Sequence, residues 1–220
     1  MVRRFSDGLS AAVAIADEIA RCIEASEGSF HLALSGGTSP VPTFQELRQR
    51  ELSWERVHIW LVDERFVPVG DPGSNERLVR EELTDHVTIL ESNIHGMLRG
   101  VTAADCAAGY EKILPSQLDF VMLGMGGDGH TASLFPGSPA LGELDRRVVA
   151  APGVEPYPQR VTLTFPVLAD AKHLAVLATG AGKAPAFADA MTPESDLPIA
   201  RLARLAPHLE WFVDAAISGS

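Results

Sequence analysis

The stretch with the most chemical information is the glycine-rich segment at residues 124–136, with the sequence GMGGDGHTASLFP. His130 is the one side chain in it that can take up a proton near neutral pH, because imidazole has an unperturbed pKa of about 6.5. Asp128, two residues earlier, stands close enough in sequence to orient the ring. Most single histidines are ordinary surface or core residues, but dense glycines indicate backbone held close to a ligand. The segment therefore predicts a loop that activates water.

The same segment also contains the spacing GxGxxG, at Gly124, Gly126 and Gly129, which is typical of dinucleotide-binding loops. Two features oppose that interpretation. Pro136 follows too soon for the long crossover helix of a Rossmann unit, and no acidic residue ends the next strand about 20 residues on, where a ribose would be held. A nicotinamide-dependent oxidoreductase is therefore the least favoured alternative.

A second glycine-containing loop, LSGGTSP at residues 34–40, follows an apolar segment directly. Gly36 and Gly37 allow close approach of the backbone to a ligand, and the hydroxyl groups of Thr38 and Ser39 can donate hydrogen bonds. This arrangement predicts a phosphate cradle, although it lacks the lysine and the spacing of a Walker A loop. The alternative is a simple glycine turn with a Ser or Thr cap on the next helix.

Charged side chains follow other apolar segments. Asp63, Glu64 and Arg65 come directly after residues 57–62, where they must either form a mutual salt bridge or meet a ligand. The planar guanidinium of Arg65 suits a phosphate group. Arg160 opens a predicted strand and Lys183 begins a predicted helix, so both lie beside loops, where they are candidate ligand contacts or simply solvated surface charges.

The elements that must position these residues alternate between short apolar runs and helical patterns. That alternation predicts an α/β fold: a single-domain, Rossmann-like, open and mainly parallel sheet with helices on both faces, spanning residues 1–220. The predicted strands are residues 30–34, 57–62, 118–123, 147–151, 160–165 and 173–178; the predicted helices are residues 9–25, 40–50, 74–85, 103–114, 182–191 and 199–205. Ligands of such sheets bind beyond the carboxyl ends of the strands.

Composition limits the partners. The chain has 220 residues, 46% of them apolar, and a formal net charge of -11, which opposes binding to nucleic acid or to anionic membranes. No segment is long enough to span a membrane. Cys22 and Cys106 have neither metal-ligand nor CxxC spacing, so we expect buried thiols and a cytoplasmic protein. No apolar stripe is left over for a partner, which favours a monomer.

Taken in order, these motifs resemble the 6-phosphogluconolactonase family, within the superfamily that also contains the glucosamine-6-phosphate deaminases. The segments that carry the resemblance are residues 34–40, 63–65 with 74–75, 123–136, 160–164, 180–183 and 211–216. The order Thr38-Ser39 reverses the commoner Ser-Thr of the family, but both positions keep a hydroxyl group. The resemblance extends over essentially the whole chain.

This resemblance implies hydrolysis of 6-phospho-D-glucono-1,5-lactone to 6-phospho-D-gluconate, the second step of the oxidative pentose phosphate pathway, without a metal or an organic cofactor. It implies that His130 is the general base and that Asp128 positions it. The residues implied in binding the phosphate and the sugar are Gly36, Gly37, Thr38, Ser39, Asp63, Arg65, Arg160 and Lys183.

Two alternatives remain. A glucosamine-6-phosphate deaminase typically has Asp-Glu-Tyr where this chain has Asp63-Glu64-Arg65. It also has His-x-Ala-Phe-Asn-Glu-Pro where this chain has HTASLFP, at residues 130–136. The ring-opening glutamate of that enzyme is therefore missing. A non-catalytic sugar-phosphate-binding protein is the other alternative, and the presence of both Asp128 and His130 argues against it.

Overall fold

The computed structural model describes residues 1–218 and is built around a seven-stranded, all-parallel sheet. In spatial order its strands are β1 (Val2–Phe5), β10 (Glu210–Asp214), β9 (His173–Ala178), β6 (Phe120–Gly124), β2 (Phe30–Leu34), β3 (Val57–Leu61) and β5 (Ile94–His95). Consecutive residues of the central strands are buried, which requires cover on both faces of the sheet. The predicted α/β class and mainly parallel sheet are confirmed.

The register of the central strands brings their carboxyl ends to one edge of the sheet. Leu34 pairs with Leu61 on one side and with Met122 on the other, and Gly124 pairs with Leu177. The chain segments that follow β2, β3, β6 and β9 therefore leave the sheet side by side. These are the segments in which the sequence places its candidate site residues.

Two of the six predicted strands do not join this sheet. Residues 147–151 and 160–165 correspond to β7 (Val148–Pro152) and β8 (Gln159–Leu163), which form a separate antiparallel sheet in the order β4-β8-β7 with β4 (Asp63–Arg65). Two parallel neighbours need a long crossover connection, usually a helix. The connection between β7 and β8 is short and contains no helix, so the two strands pair antiparallel. The prediction of one continuous sheet was wrong at this point.

Helices cover the main sheet and follow the predicted pattern closely. They are α1 (Gly8–Ala25), α2 (Val41–Leu47), α3 (Asn75–Glu82), α4 (Ala103–Ile113), α5 (Phe165–Ala169), α6 (Ala184–Ala190), α7 (Pro198–Leu205) and α8 (Ala215–Ser218). The predicted N-cap of α3 is confirmed, because the Ser74 hydroxyl accepts the Arg77 N–H at 3.2 Å. The short helices α5 and α8 and the strands β1, β4, β5 and β10 were not predicted as elements.

Other expectations concern the chain as a whole. Both cysteines are free and buried, as predicted. Among residues 1–218, no helix has the length and apolar character needed to cross a bilayer. The last two residues of the predicted 1–220 domain lie outside the described part of the chain.

Candidate active site

A cleft opens at the edge of the main sheet where β2, β3, β6 and β9 end. It brings together all but one of the predicted catalytic and substrate-binding residues. Its walls are formed by Ser35, Gly36, Gly37, Thr38, Ser39, Pro40, Asp63, Arg65, Asn75, Gly124, Met125, Gly126, His130, Ala132, Arg160 and Lys183. The exception is Asp128, which contacts the cleft through His130.

The imidazole of His130 is held by Asp128. Its Nδ1 lies 2.5 Å from Asp128 Oδ1, and the same oxygen accepts the His130 backbone N–H at 3.1 Å. Partial burial raises the pKa of Asp128, but these two hydrogen bonds outweigh it and leave that pKa below its ordinary value. An ionised carboxylate requires Nδ1 to carry the proton, so Nε2 is the nitrogen left to act as a base.

The glycines of this loop make room for the pair. A Cβ atom on Gly126 would lie 2.1 Å from His130 Nδ1 and 2.6 Å from Asp128 Oδ1. The Gly126 N–H also donates to the His130 carbonyl oxygen at 2.9 Å, which closes a tight turn around Asp128. Only glycine at position 126 permits this packing.

Past the histidine, the loop is braced against the small sheet. Ala132 has a φ of 48°, a left-handed conformation that is uncommon for a residue with a side chain. The next residue, Ser133, is fully buried; its hydroxyl donates to Asp63 Oδ2 at 2.5 Å and its N–H to Thr162 Oγ1 at 3.2 Å. These bonds hold Ala132 in the cleft wall despite its backbone strain.

The loop after β2 offers donors to the cleft. Within residues 1–218, none of the backbone N–H groups at positions 36–39 donates a hydrogen bond to protein. Lys183 reaches the same loop, with its Nζ 3.0 Å from Ser39 Oγ. Burial lowers the pKa of Lys183, while Asp214 acts in the opposite direction. Free amides beside a partly desolvated ammonium form a site suited to an anion.

Two arginines face each other across the antiparallel strands β4 and β8. Arg65 and Arg160 are directly paired in the register, and neither forms an ion pair with a carboxylate of residues 1–218. Their guanidinium carbons lie 5.6 and 5.9 Å from the Tyr157 ring centroid. Like charges directly opposite are destabilising, which is consistent with a site that holds an anionic ligand. Arg160 is only 6% exposed, so it is not a solvated surface charge.

The mutual salt bridge considered for residues 63–65 does not form. Glu64 is 1% exposed, and its carboxylate accepts the Ser74 hydroxyl at 3.0 Å and the N–H groups of Arg65, Asn75 and Glu76 at 2.7–2.8 Å. Burial raises the pKa of Glu64 to about 7, against the lowering effect of these backbone donors. The carboxylate thus fixes the start of α3 rather than neutralising the arginine.

Asn75, the first residue of α3, is a cleft residue that the sequence did not single out by itself. Its Nδ2 donates to the Asp63 carbonyl oxygen at 2.8 Å, whereas its buried Oδ1 and the buried Nε of Arg65 have no partner among the described residues. An unpaired buried polar atom costs about 1–3 kcal/mol, so both atoms are candidates for ligand contacts. The signals in the sequence were its position immediately after the N-cap Ser74 and its place in segment 74–75 of the family resemblance.

Comparison with known proteins identifies the family of this chain. Residues 7–211 match the family model described as glucosamine-6-phosphate isomerases/6-phosphogluconolactonase. The chain is 38% identical over 199 residues to the 6-phosphogluconolactonase of Synechocystis sp., covering 84% of this chain and 81% of the relative. It is 38% identical over 216 residues to that of Rhizobium meliloti, covering 92% and 93%.

Solved structures agree in fold. The 6-phosphogluconolactonase from Trypanosoma brucei superposes with a TM-score of 0.88 at 27% identity and covers 100% of this chain and 97% of its own. A monomeric glucosamine-6-phosphate deaminase superposes with a TM-score of 0.89 at 18% identity, covering 99% of this chain and 98% of its own. Fold similarity by itself therefore does not separate the two activities.

Proposed function

Because this chain belongs to the family of glucosamine-6-phosphate isomerases and 6-phosphogluconolactonases, we propose that it hydrolyses 6-phospho-D-glucono-1,5-lactone to 6-phospho-D-gluconate. The relatives named as 6-phosphogluconolactonases match it along most of their length as well as most of its own. The observation that carries the chemistry is the pairing of His130 with Asp128 at a cleft whose wall also holds Arg65, Arg160 and Lys183, none of which forms an ion pair within residues 1–218.

His130 is the general base of the proposed mechanism. Nε2 removes a proton from a water molecule as its oxygen attacks the C1 carbonyl of the lactone. The resulting tetrahedral intermediate collapses with cleavage of the ring C–O bond, and the imidazolium returns the proton to the leaving oxygen. Asp128 positions the ring and stabilises its charged form. No covalent enzyme intermediate is needed, because an activated ester requires only an oriented water molecule, a base and hydrogen-bond donors.

The phosphate and sugar are held on the other walls of the cleft. In this proposal the substrate is contacted by the free backbone amides of residues 36–39, by the hydroxyl groups of Thr38 and Ser39, and by the ammonium group of Lys183. Arg65 and Arg160 supply planar donors for its oxygens. Asp63 lies in the wall, but its carboxylate already accepts from Ser133 and Asn75, so we assign it a positioning role beside its predicted substrate contact.

Phe135 favours the lactonase over the deaminase. It stands at the position of the deaminase glutamate in the motif comparison, and its ring centroid lies 4.4 Å from that of His130. An apolar ring beside the base cannot exchange a proton with a sugar ring oxygen.

The test is a rate measurement on freshly prepared lactone, corrected for spontaneous hydrolysis, with glucosamine 6-phosphate assayed in parallel. We expect lactone hydrolysis by the purified protein, no ammonia release, and a loss of about 10²–10⁴ in rate for His130→Ala with 6-phosphogluconate binding retained. Ammonia release, or near-normal hydrolysis by the variant, contradicts the proposal.

We also propose the pathway, the compartment and the oligomeric state in which the reaction takes place. We assign the reaction to the second step of the oxidative pentose phosphate pathway, carried out in the cytoplasm by a monomer in which residues 1–220 act as one domain. No step requires a metal or an organic cofactor, and neither nucleic acid nor a membrane takes part.

A further inference from the structure

We propose that the protein binds a divalent cation of the zinc class at a second site, formed by Glu18, Cys22 and His173 at the edge of the main sheet opposite the catalytic cleft. One possible ligand atom from each of these residues lies within 4.8 Å of the other two. The inference does not depend on the proposed function, because none of the three residues lines the catalytic cleft.

Helix α1 and strand β9 place the three residues of this second site. Glu18 and Cys22 are separated by one helical turn on α1, so they project from the same face of that helix. His173 is the first residue of β9, at its amino end, whereas the catalytic loops follow the carboxyl ends of the strands. A cation here would tie α1 to the sheet.

The donor set suits zinc. A thiolate, an imidazole and a carboxylate are the three protein ligand types of Zn²⁺, and sites with three protein ligands leave a fourth position for water. A cavity adjoins the cluster, and its lining includes Glu18, His173, His208 and Glu210. Zinc bonds are about 2.0–2.3 Å long, so the donor atoms must close in slightly. His173 is exposed and can rotate to do so.

The proton balance is simple. Burial raises the pKa of the Cys22 thiol to about 11, so the metal-free protein carries the S–H group. When the cation binds, the metal–sulfur bond forms, the S–H bond breaks and one proton leaves to solvent. Cys106 is also a free, buried cysteine, but it is not part of the cluster, so it serves as a matched control.

Two arginines compete with a cation for Glu18: Arg3, whose Nη1 lies 3.8 Å from Glu18 Oε2, and Arg21, which is closer. Arg21 also reaches the thiol of Cys22. Its guanidinium pairs with Glu18, lies 3.7 Å from Cys22 Sγ, and has a side chain that is 59% exposed. Among residues 1–218 it forms no other ion pair. A bound cation would replace it, so removal of the Arg21 charge should strengthen metal binding. A purely structural role for the cluster predicts no such effect.

The experiment is equilibrium dialysis of the tag-free protein against Zn²⁺, followed by a Co²⁺ titration that monitors the thiolate-to-metal charge-transfer absorption. We expect one ion per chain and loss of about tenfold or more in affinity for Cys22→Ser and for the exposed His173→Ala, since even loss of a group that only supports a ligand costs about 10–100-fold. Arg21→Gln should bind more tightly, and Cys106→Ser should bind like the wild type.

Substoichiometric binding by the wild type overturns the proposal. So does equal affinity across all four variants, which would indicate adventitious metal only. His173→Ala keeps the test decisive if Cys22→Ser fails to fold, and its lactone hydrolysis should stay at the wild-type rate.

Discussion

The tightest steric constraint in the catalytic loop lies at Gly126, and the substitution Gly126→Ala tests it. The added Cβ would lie 2.1 Å from His130 Nδ1 and 2.2 Å from Cε1, more than an ångström short of ordinary contact, which begins at 3.4 Å. It would also lie 2.6 Å from Asp128 Oδ1. The backbone at Gly126 does not have a positive φ, so the clash with the His130–Asp128 pair is the main effect of the change.

A displacement of about 1 Å in a catalytic group can cost about 10² in rate, which corresponds to about 2.7 kcal/mol of activation free energy. We therefore expect kcat for lactone hydrolysis to fall by about 10²-fold in Gly126→Ala. KM should change little, because the phosphate cradle at positions 36–39 is untouched. The assay is the initial rate across substrate concentrations, corrected for spontaneous hydrolysis, with circular dichroism to establish that the variant is folded.

Gly127→Ala is the matched control. It is the next residue of the same loop and also lacks a positive φ, and its Cβ would meet only Gly182 O, at an ordinary 3.6 Å. Wild-type kcat is expected there. A folded Gly126→Ala protein with wild-type kcat would refute the reasoning, because the imidazole could then be displaced without consequence.

Substitutions at Lys183, Glu64 and His95 test three other parts of the structure. Lys183→Ala should raise KM by about tenfold or more with a smaller effect on kcat, because a hydrogen bond from a charged group contributes about 1.5–3 kcal/mol; an unchanged KM argues against a phosphate contact at Lys183. Glu64→Gln should lower the free energy of unfolding in urea by about 1–3 kcal/mol, since its amide nitrogen would face donors that now meet a carboxylate oxygen; wild-type stability contradicts this. Burial, reinforced by His58, lowers the pKa of His95 from 6.5 to about 4, so the unfolded chain binds a proton between these pH values that the folded chain does not. The free energy of unfolding should therefore decrease as the pH is lowered from about 6.5 to about 4. His95→Phe, measured by urea unfolding at several pH values, should weaken this dependence; a slope equal to that of the wild type would exclude His95 as a source.

Much of the main sheet could be read from the sequence, because its strands are continuous apolar runs covered on both faces. Phe30–Leu34 and His173–Ala178 were predicted to the residue. The edge strand Val2–Phe5 was missed because Arg3 and Arg4 interrupt its apolar pattern. Residues 147–165 were misassigned to the main sheet, since local pattern identifies a strand but not its partner. The short, helix-free connection at residues 153–158 was the available signal for an antiparallel pair.

For the site, residue types and loop positions were decided by the sequence. The glycines at 36–37, the His130–Asp128 spacing and Arg65 all stood after predicted strands, and parallel strands bring such loops to one edge of a sheet. Arg160 and Lys183 stood at the starts of a predicted strand and a predicted helix. Tertiary structure decided what no local pattern contains. It paired Arg65 with Arg160 across two strands, turned Glu64 towards the start of α3, and left Asn75 Oδ1 without a hydrogen-bond partner among the described residues.

The physical reason for this division is the range of the interactions. Backbone conformation, helix caps and apolar periodicity depend on residues a few positions apart, so the sequence by itself determined the elements and the loops that carry the chemistry. Hydrogen-bond partners, burial and charge pairing depend on groups that meet only when the sheet forms. Whether Arg65 would pair with its neighbouring acids or be left for a ligand, and whether Cys22 would lie near His173, were therefore questions only the folded chain could answer.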